Sequence, residues 1–376
     1  MKIAMIGHKR VPSREGGIEI VVEEISKRLV KNGHTVDIYN RKGKGKISKL
    51  KQYEGCKIIT IPTINIKGIE ATVYSLFATI KALFGRYDII HYHAEGPCTM
   101  LWIPHMFKIK TVVTIHGLDW QRAKWGGFAT KFIKFGEKTA AKYADEIIVL
   151  SKEMQKYFLE TYNRKTIYIP NGVNKPIIRQ AKVIKEKYGL SKNDYILFLA
   201  RIVPEKGLHY LIEAFKNIKT EKKLVIAGDA NHTNDYLNQI EKMVKEDDRI
   251  IMTGFVEGEE LDELFSNCYI YCLPSDVEGM PISLLEAMSY GCNCLVSDIK
   301  ENTEVVGNFA KTFEKANIES LKESLIKMID GNIIKKEDIS KYILNQYTWD
   351  ECVEKIEDLY IKVRGKPWKK KVKVQK

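Results

Sequence analysis

The sequence SDVEGMPISLLEAMSYG, residues 275–291, joins the end of an apolar strand to the start of an apolar helix. Pro281 suits the first helical turn, because its missing N–H would be unpaired there in any case. This places Glu278 in the loop before the helix and Glu286 about one turn inside it. The N–H groups of residues 282–284 then point out of the positive end of the helix, which favours an anion such as a phosphate or diphosphate.

One carboxylate stands on each side of this predicted anion site. Carboxylate oxygens accept hydrogen bonds from hydroxyl groups, including those of sugars and ribose. Glu278 and Glu286 together therefore predict a site for a sugar nucleotide. The alternative is a solvated acidic pair that flanks a buried helix, because an isolated motif of this kind often arises by chance.

Strands and helices alternate on either side of this stretch. Two runs of such alternation predict an α/β fold with two doubly wound parallel sheets, one in each of two domains, 1–172 and 173–346. The turn sequence IPNGV, residues 169–173, marks the joint. Predicted strands are 2–7, 34–40, 57–62, 88–93, 111–117, 146–151, 166–173, 195–201, 223–229, 250–255, 269–275 and 292–298. Predicted helices are 18–33, 71–84, 207–217, 235–246, 259–266, 282–290 and 349–363.

Three further groups of residues follow predicted strands, where open α/β sheets bind ligands. Gly16 and Gly17 precede helix 18–33 and let a ligand approach the backbone closely, although G-x-G-x-x-G is absent and a plain turn is the alternative. His116 follows strand 111–115 and can bond a sugar hydroxyl or carry a proton. Arg201 and Lys206 lie in the loop ARIVPEKG, where two cations near a helix start can neutralise a diphosphate.

The segment after His116 combines aromatic rings, which stack on sugar faces, with basic groups, which meet phosphates. We predict that it binds an acceptor through Asp119, Trp120, Arg122 and Lys124. The alternative is a helix entry with amphipathic tryptophans.

These landmarks, in this order over residues 2–361, resemble glycosyltransferase family 4, the retaining enzymes with an E-x7-E motif and two Rossmann-like domains facing a cleft (the GT-B fold). The resemblance is to enzymes of bacterial and archaeal capsule and surface-polysaccharide synthesis. It implies that the terminal helix 349–363 packs back on the first domain. Asn174 departs from the family, which usually has Asp at that position.

The resemblance also implies roles for the residues. Glu286 would hold the ribose and Glu278 the donor sugar; His116 would touch that sugar from the opposite domain after closure. The family uses front-face attack assisted by the leaving phosphate, so neither glutamate is a nucleophile. No metal or other cofactor is expected, since no D-x-D pair follows a strand. The diphosphate and donor contacts would come from Gly16, Gly17, Arg201, Lys206, Gly279, Met280, Pro281, Ser283 and Leu284.

The charge distribution bears on the acceptor. Residues 1–173 carry 29 Lys/Arg against 15 Asp/Glu, residues 174–361 carry 24 against 33, and residues 362–376 carry 8 against none. A basic front half suits an anionic membrane and a lipid-linked saccharide acceptor, and the alternative is an ordinary lysine-rich surface. For the apolar helix 71–84, internal packing is favoured over a membrane face. Residues 364–376 are predicted to be a disordered basic tail.

Residues 1–7 form a predicted strand and not a signal peptide, so we expect a cytoplasmic protein, peripheral on the inner face of the membrane. Other functions stay open. An epimerase or phosphorylase could share the architecture, although no lysine motif for a pyridoxal cofactor is present. A nucleic-acid-binding protein would suit the sequence pI of about 9.1, yet no nucleic-acid motif is found and no such partner is expected. A non-catalytic scaffold is disfavoured by the intact Arg201, Lys206, Glu278 and Glu286.

Overall fold

The computed structural model describes residues 1–43, 50–64, 70–121, 127–230 and 234–365. Its chain divides into two compact units. Unit 1 comprises Met1–Asn171 and the chain from Trp349 on, and unit 2 comprises Gly172–Thr348. Arg122 and Lys124 lie outside the described residues, as does the predicted tail from residue 366 on.

Strands and helices are numbered here in chain order. The strands are β1 (Lys2–Ile6), β2 (Thr35–Arg41), β3 (Gln52–Tyr53), β4 (Cys56–Ile61), β5 (Ile89–His93), β6 (Thr111–Ile115), β7 (Glu146–Val149), β8 (Ile167–Tyr168), β9 (Tyr195–Leu199), β10 (Lys223–Ala227), β11 (Ile250–Gly254), β12 (Ile270–Leu273), β13 (Asn293–Ser297) and β14 (Lys311–Phe313). The helices are α1 (Gly17–Lys31), α2 (Glu70–Leu83), α3 (Glu95–Cys98), α4 (Trp102–Met106), α5 (Gly127–Tyr143), α6 (Lys152–Tyr162), α7 (Val183–Tyr188), α8 (Leu208–Lys216), α9 (Asn234–Val244), α10 (Gly258–Asn267), α11 (Ile282–Ser289), α12 (Lys300–Val306), α13 (Ile318–Ile329), α14 (Lys336–Gln346) and α15 (Trp349–Arg364).

The sheet of unit 1 has the strand order β3-β4-β2-β1-β5-β6-β7-β8. Its neighbours are parallel except for β3 and β4, which pair antiparallel. The predicted parallel sheet is thus confirmed, with one short antiparallel strand added at its edge. The cause is local: Glu54 and Gly55 both have positive φ, as a tight hairpin turn requires.

Helix α15 belongs to unit 1 and packs on α1. Asn32 donates a hydrogen bond to the Glu357 carboxylate at 2.8 Å, and the Arg28 guanidinium lies 2.7 Å from Asp350. Near the helix end, Arg364 pairs with Asp88 at 2.8 Å. The last helix of the chain is thus tied at several points to the unit that begins it.

The sheet of unit 2 is parallel throughout, in the order β11-β10-β9-β12-β13-β14. The chain runs outward from β9 to β11 and then returns to the other side of β9 with β12. In unit 1 the same reversal falls between β1 and β5. Ligands of open α/β sheets bind beyond the carboxyl ends of strands at such reversals. The fold therefore marks one position in each unit where a site is expected.

No helix within the described ranges is both long and apolar enough to cross a membrane. Helix α2, for which the sequence favours internal packing, is buried on one side and exposed on the other. Tyr74, Ala78 and Ala82 are buried, whereas Phe77 and Ile80 are exposed. The internal-packing interpretation therefore fits only one side of this helix.

Candidate active site

The candidate site of unit 2 begins where two loops meet at the reversal between β9 and β12. Arg201 and Lys206 follow β9, and Ser275 to Glu278 follow β12. Gly207 allows their close approach. It has a φ of +67°, and a Cβ added there would lie 1.9 Å from the Pro274 carbonyl oxygen. Only glycine suits both this backbone conformation and this spacing.

An ion pair connects the two loops. The Lys206 Nζ lies 2.5 Å from Glu278 Oε1, and the Ser275 hydroxyl donates a hydrogen bond to the same oxygen at 2.6 Å. The Lys206 and Glu278 side chains are only 14% and 7% exposed. Charges shielded from water in this way interact more strongly than charges on an open surface. The arrangement presents a cation and a carboxylate side by side, which suits a phosphate next to a hydroxyl-bearing group.

Helix α11 starts at Ile282, as the predicted range 282–290 has it, so Pro281 stands just before the first turn. Pro281 is the N-cap, with φ −73° and ψ 115°, and Ile282 is the first helical residue. The Leu284 N–H bonds back to the Pro281 carbonyl at 3.2 Å. The prediction that three N–H groups point out of the helix start is therefore wrong for Leu284, because its N–H bonds within the first turn. The amides of Ile282 and Ser283 come before this first intrahelical bond.

The predicted carboxylates stand where their spacing suggested. Glu278 lies in the loop, and Glu286 lies on α11, half-buried. Gly279 and the buried Met280 lie between Glu278 and the helix. The Ser283 hydroxyl is oriented by Tyr271, whose phenol donates to it at 2.8 Å. Burial raises the pKa of Tyr271 well above its usual range, so it stays a neutral donor.

Two acidic residues beside this site were missed by the sequence analysis. Glu205 is buried, and neither of its carboxylate oxygens has a hydrogen-bond partner among the described residues. Its carbonyl accepts the Asp276 N–H at 2.9 Å. Burial raises the pKa of Asp276, and the Tyr210 phenol donates to this carboxylate at 3.3 Å. Both residues could have been found from the sequence, because each lies close to a predicted site residue. Glu205 directly precedes Lys206, and Asp276 lies two residues before Glu278.

In unit 1 the glycine loop leads directly into a helix. Gly17 is the first residue of α1 and Gly16 is its N-cap, so only Gly16 precedes the helix. Gly16 has an extended backbone, with φ −155°, that any residue could adopt. Lack of space restricts the side chain at residue 16, because a Cβ there would lie 2.4 Å from Glu19 Oε2. Glu19 also accepts the Lys9 N–H at 2.9 Å, which closes the loop.

His116 follows β6 and joins a stack of imidazoles. Its Nε2 lies 3.0 Å from His93 Nδ1, and the two rings stack with centroids 5.3 Å apart. The ring of His91 lies 4.2 Å from that of His93. Burial lowers the pKa of His91 to about 3 and that of His93 well below its usual value, so both are neutral at pH 7. His91 and His93 were missed, although their spacing of two predicts one face of a strand.

The predicted acceptor segment is described as far as Gln121. Asp119–Gln121 form one 3-10 turn directly after His116 and Gly117, so Asp119 and Trp120 lie near the end of β6. The Asp119 N–H donates to the buried carboxylate of Glu95 at 2.9 Å. In the part of the chain that the structure covers, no group of three or more His, Cys, Asp or Glu side chains could hold a metal ion.

Comparison with known proteins matches each unit to a family of glycosyltransferases. The family model "Glycosyl transferases group 1" matches residues 180–346, and the model "Glycosyltransferase Family 4" matches residues 15–175. A curated relative from Escherichia coli, UDP-Gal:alpha-D-GlcNAc-diphosphoundecaprenol alpha-1,3-galactosyltransferase, is 29% identical over 326 residues, covering 80% of this chain and 82% of its own.

Two solved structures have the same fold. Sucrose-phosphate synthase from Thermosynechococcus elongatus matches with a TM-score of 0.83 and 19% identity, over 97% of this chain and 99% of its own. Anabaena HepE in complex with UDP-glucose matches with a TM-score of 0.78 and 16% identity, over 96% and 99%. The two family models together span residues 15–346, and the two parallel sheets are those of the GT-B fold. The chain is a GT-B glycosyltransferase and belongs to glycosyltransferase family 4.

Proposed function

We propose that this enzyme moves a hexosyl or deoxyhexosyl group, with retention of configuration, from a nucleotide diphosphate sugar to a lipid-linked saccharide in capsule, O-antigen or exopolysaccharide synthesis. The observation that carries the proposal is the shielded Lys206–Glu278 pair at the reversal between β9 and β12. A UDP-sugar is the first donor to test. The Escherichia coli relative is named for UDP-Gal, and Anabaena HepE was solved with UDP-glucose.

Each polar group has a part in this proposal. Arg201, Lys206 and the start of α11 near Ser283 hold the diphosphate, since cations and helix N–H groups both favour negative charge. Glu278, with the backbone of Gly279 and Met280, holds the donor sugar. Glu286 holds the ribose hydroxyls, and His116 contacts the donor sugar.

The reaction needs no protein nucleophile in this scheme. The bond from the sugar C1 to the phosphate oxygen breaks while the acceptor oxygen bonds to C1 on the same face. The acceptor proton passes to the departing phosphate. Arg201 and Lys206 stabilise the charge that develops on the nucleotide, which is the largest electrostatic task of the step. Because these cations take that task, we propose that the enzyme works without a metal, and transfer should persist in excess EDTA.

Calorimetric titration tests the donor site. UDP, GDP, dTDP and ADP, each with and without its sugar, are titrated into wild type and Glu286→Gln. The control is Glu323→Gln, which removes an equal charge from an exposed position of α13 in unit 2. Binding of one nucleotide class that weakens at least tenfold in Glu286→Gln and not in the control supports the assignment. Equal binding by all three proteins removes it. A donor converted without an acceptor would indicate the epimerase alternative.

A lipid-linked acceptor requires access to a membrane, and unit 1 has a surface suited to it. Helix α4 contacts both α2 and α5. Large apolar side chains, 39% to 81% exposed, lie on these helices or directly after them. We call this surface the apolar face; it comprises Phe77, Ile80, Phe84, Trp102, Met106, Phe107 and Phe135.

The charge around the apolar face favours an anionic lipid surface. The same helices and the segments that follow them expose Lys81, Lys108, Lys131 and Lys138. The only acidic residue of α5, Glu137, is fully buried. Monomeric proteins seldom expose so many neighbouring apolar side chains without a partner. Lysines around inserted aromatic side chains are typical of proteins that lie in the membrane interface, at roughly 1 kcal/mol per basic residue.

Flotation with liposomes tests this part separately. The variant Phe84→Ser/Phe107→Ser is compared with Ile177→Ser/Ile178→Ser, which alters two similarly exposed apolar residues of unit 2. We expect wild type and the unit 2 variant to float with phosphatidylglycerol vesicles at low salt, and the unit 1 variant to stay behind. Flotation of all three, or of none, would contradict the assignment of the apolar face.

A further inference from the structure

Two glutamates in unit 1 meet in the protein interior. Glu95 opens α3, directly after β5, and Glu137 lies in the middle of α5; both are completely buried. Their carboxyl groups are within hydrogen-bonding reach of each other. Glu95 Oε1 and Glu137 Oε2 accept no hydrogen bond from other described residues. These two oxygens are the ones left for a bond between the two carboxyl groups, and such a bond needs a proton on one of them.

The other oxygen of each carboxyl group already accepts hydrogen bonds. Glu137 Oε1 accepts the phenol groups of Tyr157, at 2.7 Å, and Tyr162, at 2.5 Å, both from α6. Glu95 Oε2 accepts the Asp119 N–H at 2.9 Å. The ring of Trp120 lies 6.4 Å from that of Tyr157. These contacts connect α6 through the two carboxyl groups to the 3-10 turn Asp119–Gln121. The Trp120 ring of that turn lies in turn near Tyr157 of α6.

Electrostatics decide which glutamate holds the proton. Two buried carboxyl groups within hydrogen-bonding reach of each other do not both stay ionised, because like charges repel strongly when they are shielded from solvent. Glu137 already accepts two phenol hydroxyls, so the proton of the pair lies on Glu95, which donates to Glu137. Burial, the Asp119 carboxylate and the bond to Glu137 raise the pKa of Glu95 well above its usual range. Among the described residues, the other titratable groups that interact with the pair are the Tyr157 and Tyr162 phenols and the buried Cys98 thiol.

We infer that neutral Glu95 donates a hydrogen bond to Glu137, and that this pair forms a latch that fixes the turn carrying Asp119 and Trp120. Both are positioning residues, because neither is exposed to a substrate. The consequence for catalysis rests on the proposed acceptor role of that turn: holding it should lower the KM for the acceptor and leave donor binding unchanged. Since the neutral form of Glu95 makes the bond, the latch holds below the pKa of Glu95 and opens as the pH rises through that pKa.

Hydrogen exchange tests the latch without any substrate. Glu95→Gln keeps the shape, with an amide oxygen for the Asp119 N–H and an N–H for Glu137, whereas Glu95→Ala removes both bonds. At one pH, we expect the Asp119 amide to exchange at least tenfold faster in Glu95→Ala than in wild type, and within twofold of wild type in Glu95→Gln. Unchanged exchange in Glu95→Ala, or equal loss in both variants, overturns the latch.

A pH titration gives a second readout if Glu95→Ala does not fold. Tryptophan fluorescence of wild type should change as the pH rises through the pKa of Glu95. That change should be absent both in Glu95→Gln and in Trp120→Phe, which removes the reporter. A transition that persists in Glu95→Gln overturns the assignment of the proton to Glu95.

Transfer to GlcNAc-diphosphoryl-undecaprenol, the acceptor in the name of the Escherichia coli relative, separates the latch from the proposed function. We expect Glu95→Ala to raise the acceptor KM at least tenfold with kcat within threefold, Glu95→Gln to restore it, and the Kd for UDP to stay constant. Loss of kcat or of UDP binding instead overturns the positioning role. Absence of transfer by wild type rejects this acceptor, and the exchange experiment still decides the latch.

Discussion

Removal of Lys206 is the perturbation that best separates stability from ligand binding in the candidate site. Lys206→Met leaves the Glu278 carboxylate shielded from water, with the Ser275 hydroxyl still donating to it at 2.6 Å. Breaking a shielded pair by deleting one charge costs about 3–5 kcal/mol. Because these side chains keep 14% and 7% exposure, we expect about 3 kcal/mol for Lys206→Met. Glu278→Gln, which keeps an oxygen for both partners, should cost about 2 kcal/mol.

The double variant distinguishes the two roles. With both charges gone, the free energy of unfolding should fall by only about 3 kcal/mol, which is a coupling energy of about 2 kcal/mol between the residues. UDP affinity should behave differently. Loss of a charge-assisted bond to phosphate should weaken binding about 10- to 100-fold in Lys206→Met, and the double variant should not recover it.

The assay must report on unit 2. All five tryptophans belong to the chain outside Gly172–Thr348, so intrinsic tryptophan fluorescence does not follow the unfolding of unit 2. Native-state hydrogen exchange of peptides from β9 and β12 under increasing urea gives the stability, and calorimetry with UDP gives the affinity. A double variant as unstable as the sum of its parts would refute the coupling. Recovery of UDP binding in the double variant would refute the phosphate role of Lys206.

Three further predictions follow from single contacts. Gly207→Ala should destabilise unit 2 by at least about 3 kcal/mol in urea denaturation, because a Cβ would meet a carbonyl at 1.9 Å; the control Gly258→Ala, with φ +61° and open space, should cost about 1 kcal/mol. Burial lowers the pKa of His91 to about 3, so the unfolded state binds more protons and stability should fall below about pH 6.5; denaturation of His91→Gln as a function of pH should show a slope smaller by about 1.4 kcal/mol per pH unit. Tyr271→Phe removes the donor to the Ser283 hydroxyl and should cost about 1 kcal/mol of stability, with a measurable loss of UDP affinity by calorimetry.

The parallel strands of unit 2 could be predicted from the sequence because they are buried on both faces. The run Tyr195–Leu199 is apolar at every position, and a strand of this kind reads as a continuous apolar segment. Helix α5 was not predicted, and its sequence explains why. Phe135 is exposed while Glu137 is fully buried, so the usual periodicity of apolar residues inside and charged residues outside is inverted there.

The tight start of α11 could not be predicted either. Whether the Leu284 N–H points outward or bonds to the Pro281 carbonyl depends on the backbone conformation of the first turn. Both arrangements suit the same sequence, since Pro281 is compatible with an N-cap as well as with the first helical position. The composition of the motif therefore indicated an anion site at this helix, but not which amides are available to form it.

Four glutamates show most clearly which roles of a residue can be predicted from the sequence of this enzyme and which cannot. Glu278 and Glu286 attract attention because they flank a glycine, a proline and a helix start within one short segment, and these neighbours already specify a loop that meets ligands. Glu95 and Glu137 lie on different helices, and nothing adjacent in sequence distinguishes them from surface glutamates. Their role arises only when the fold removes water from both carboxyls and brings Asp119 against one of them. A carboxylate whose chemistry comes from its sequence neighbours can thus be predicted, whereas one whose chemistry comes from burial requires the structure.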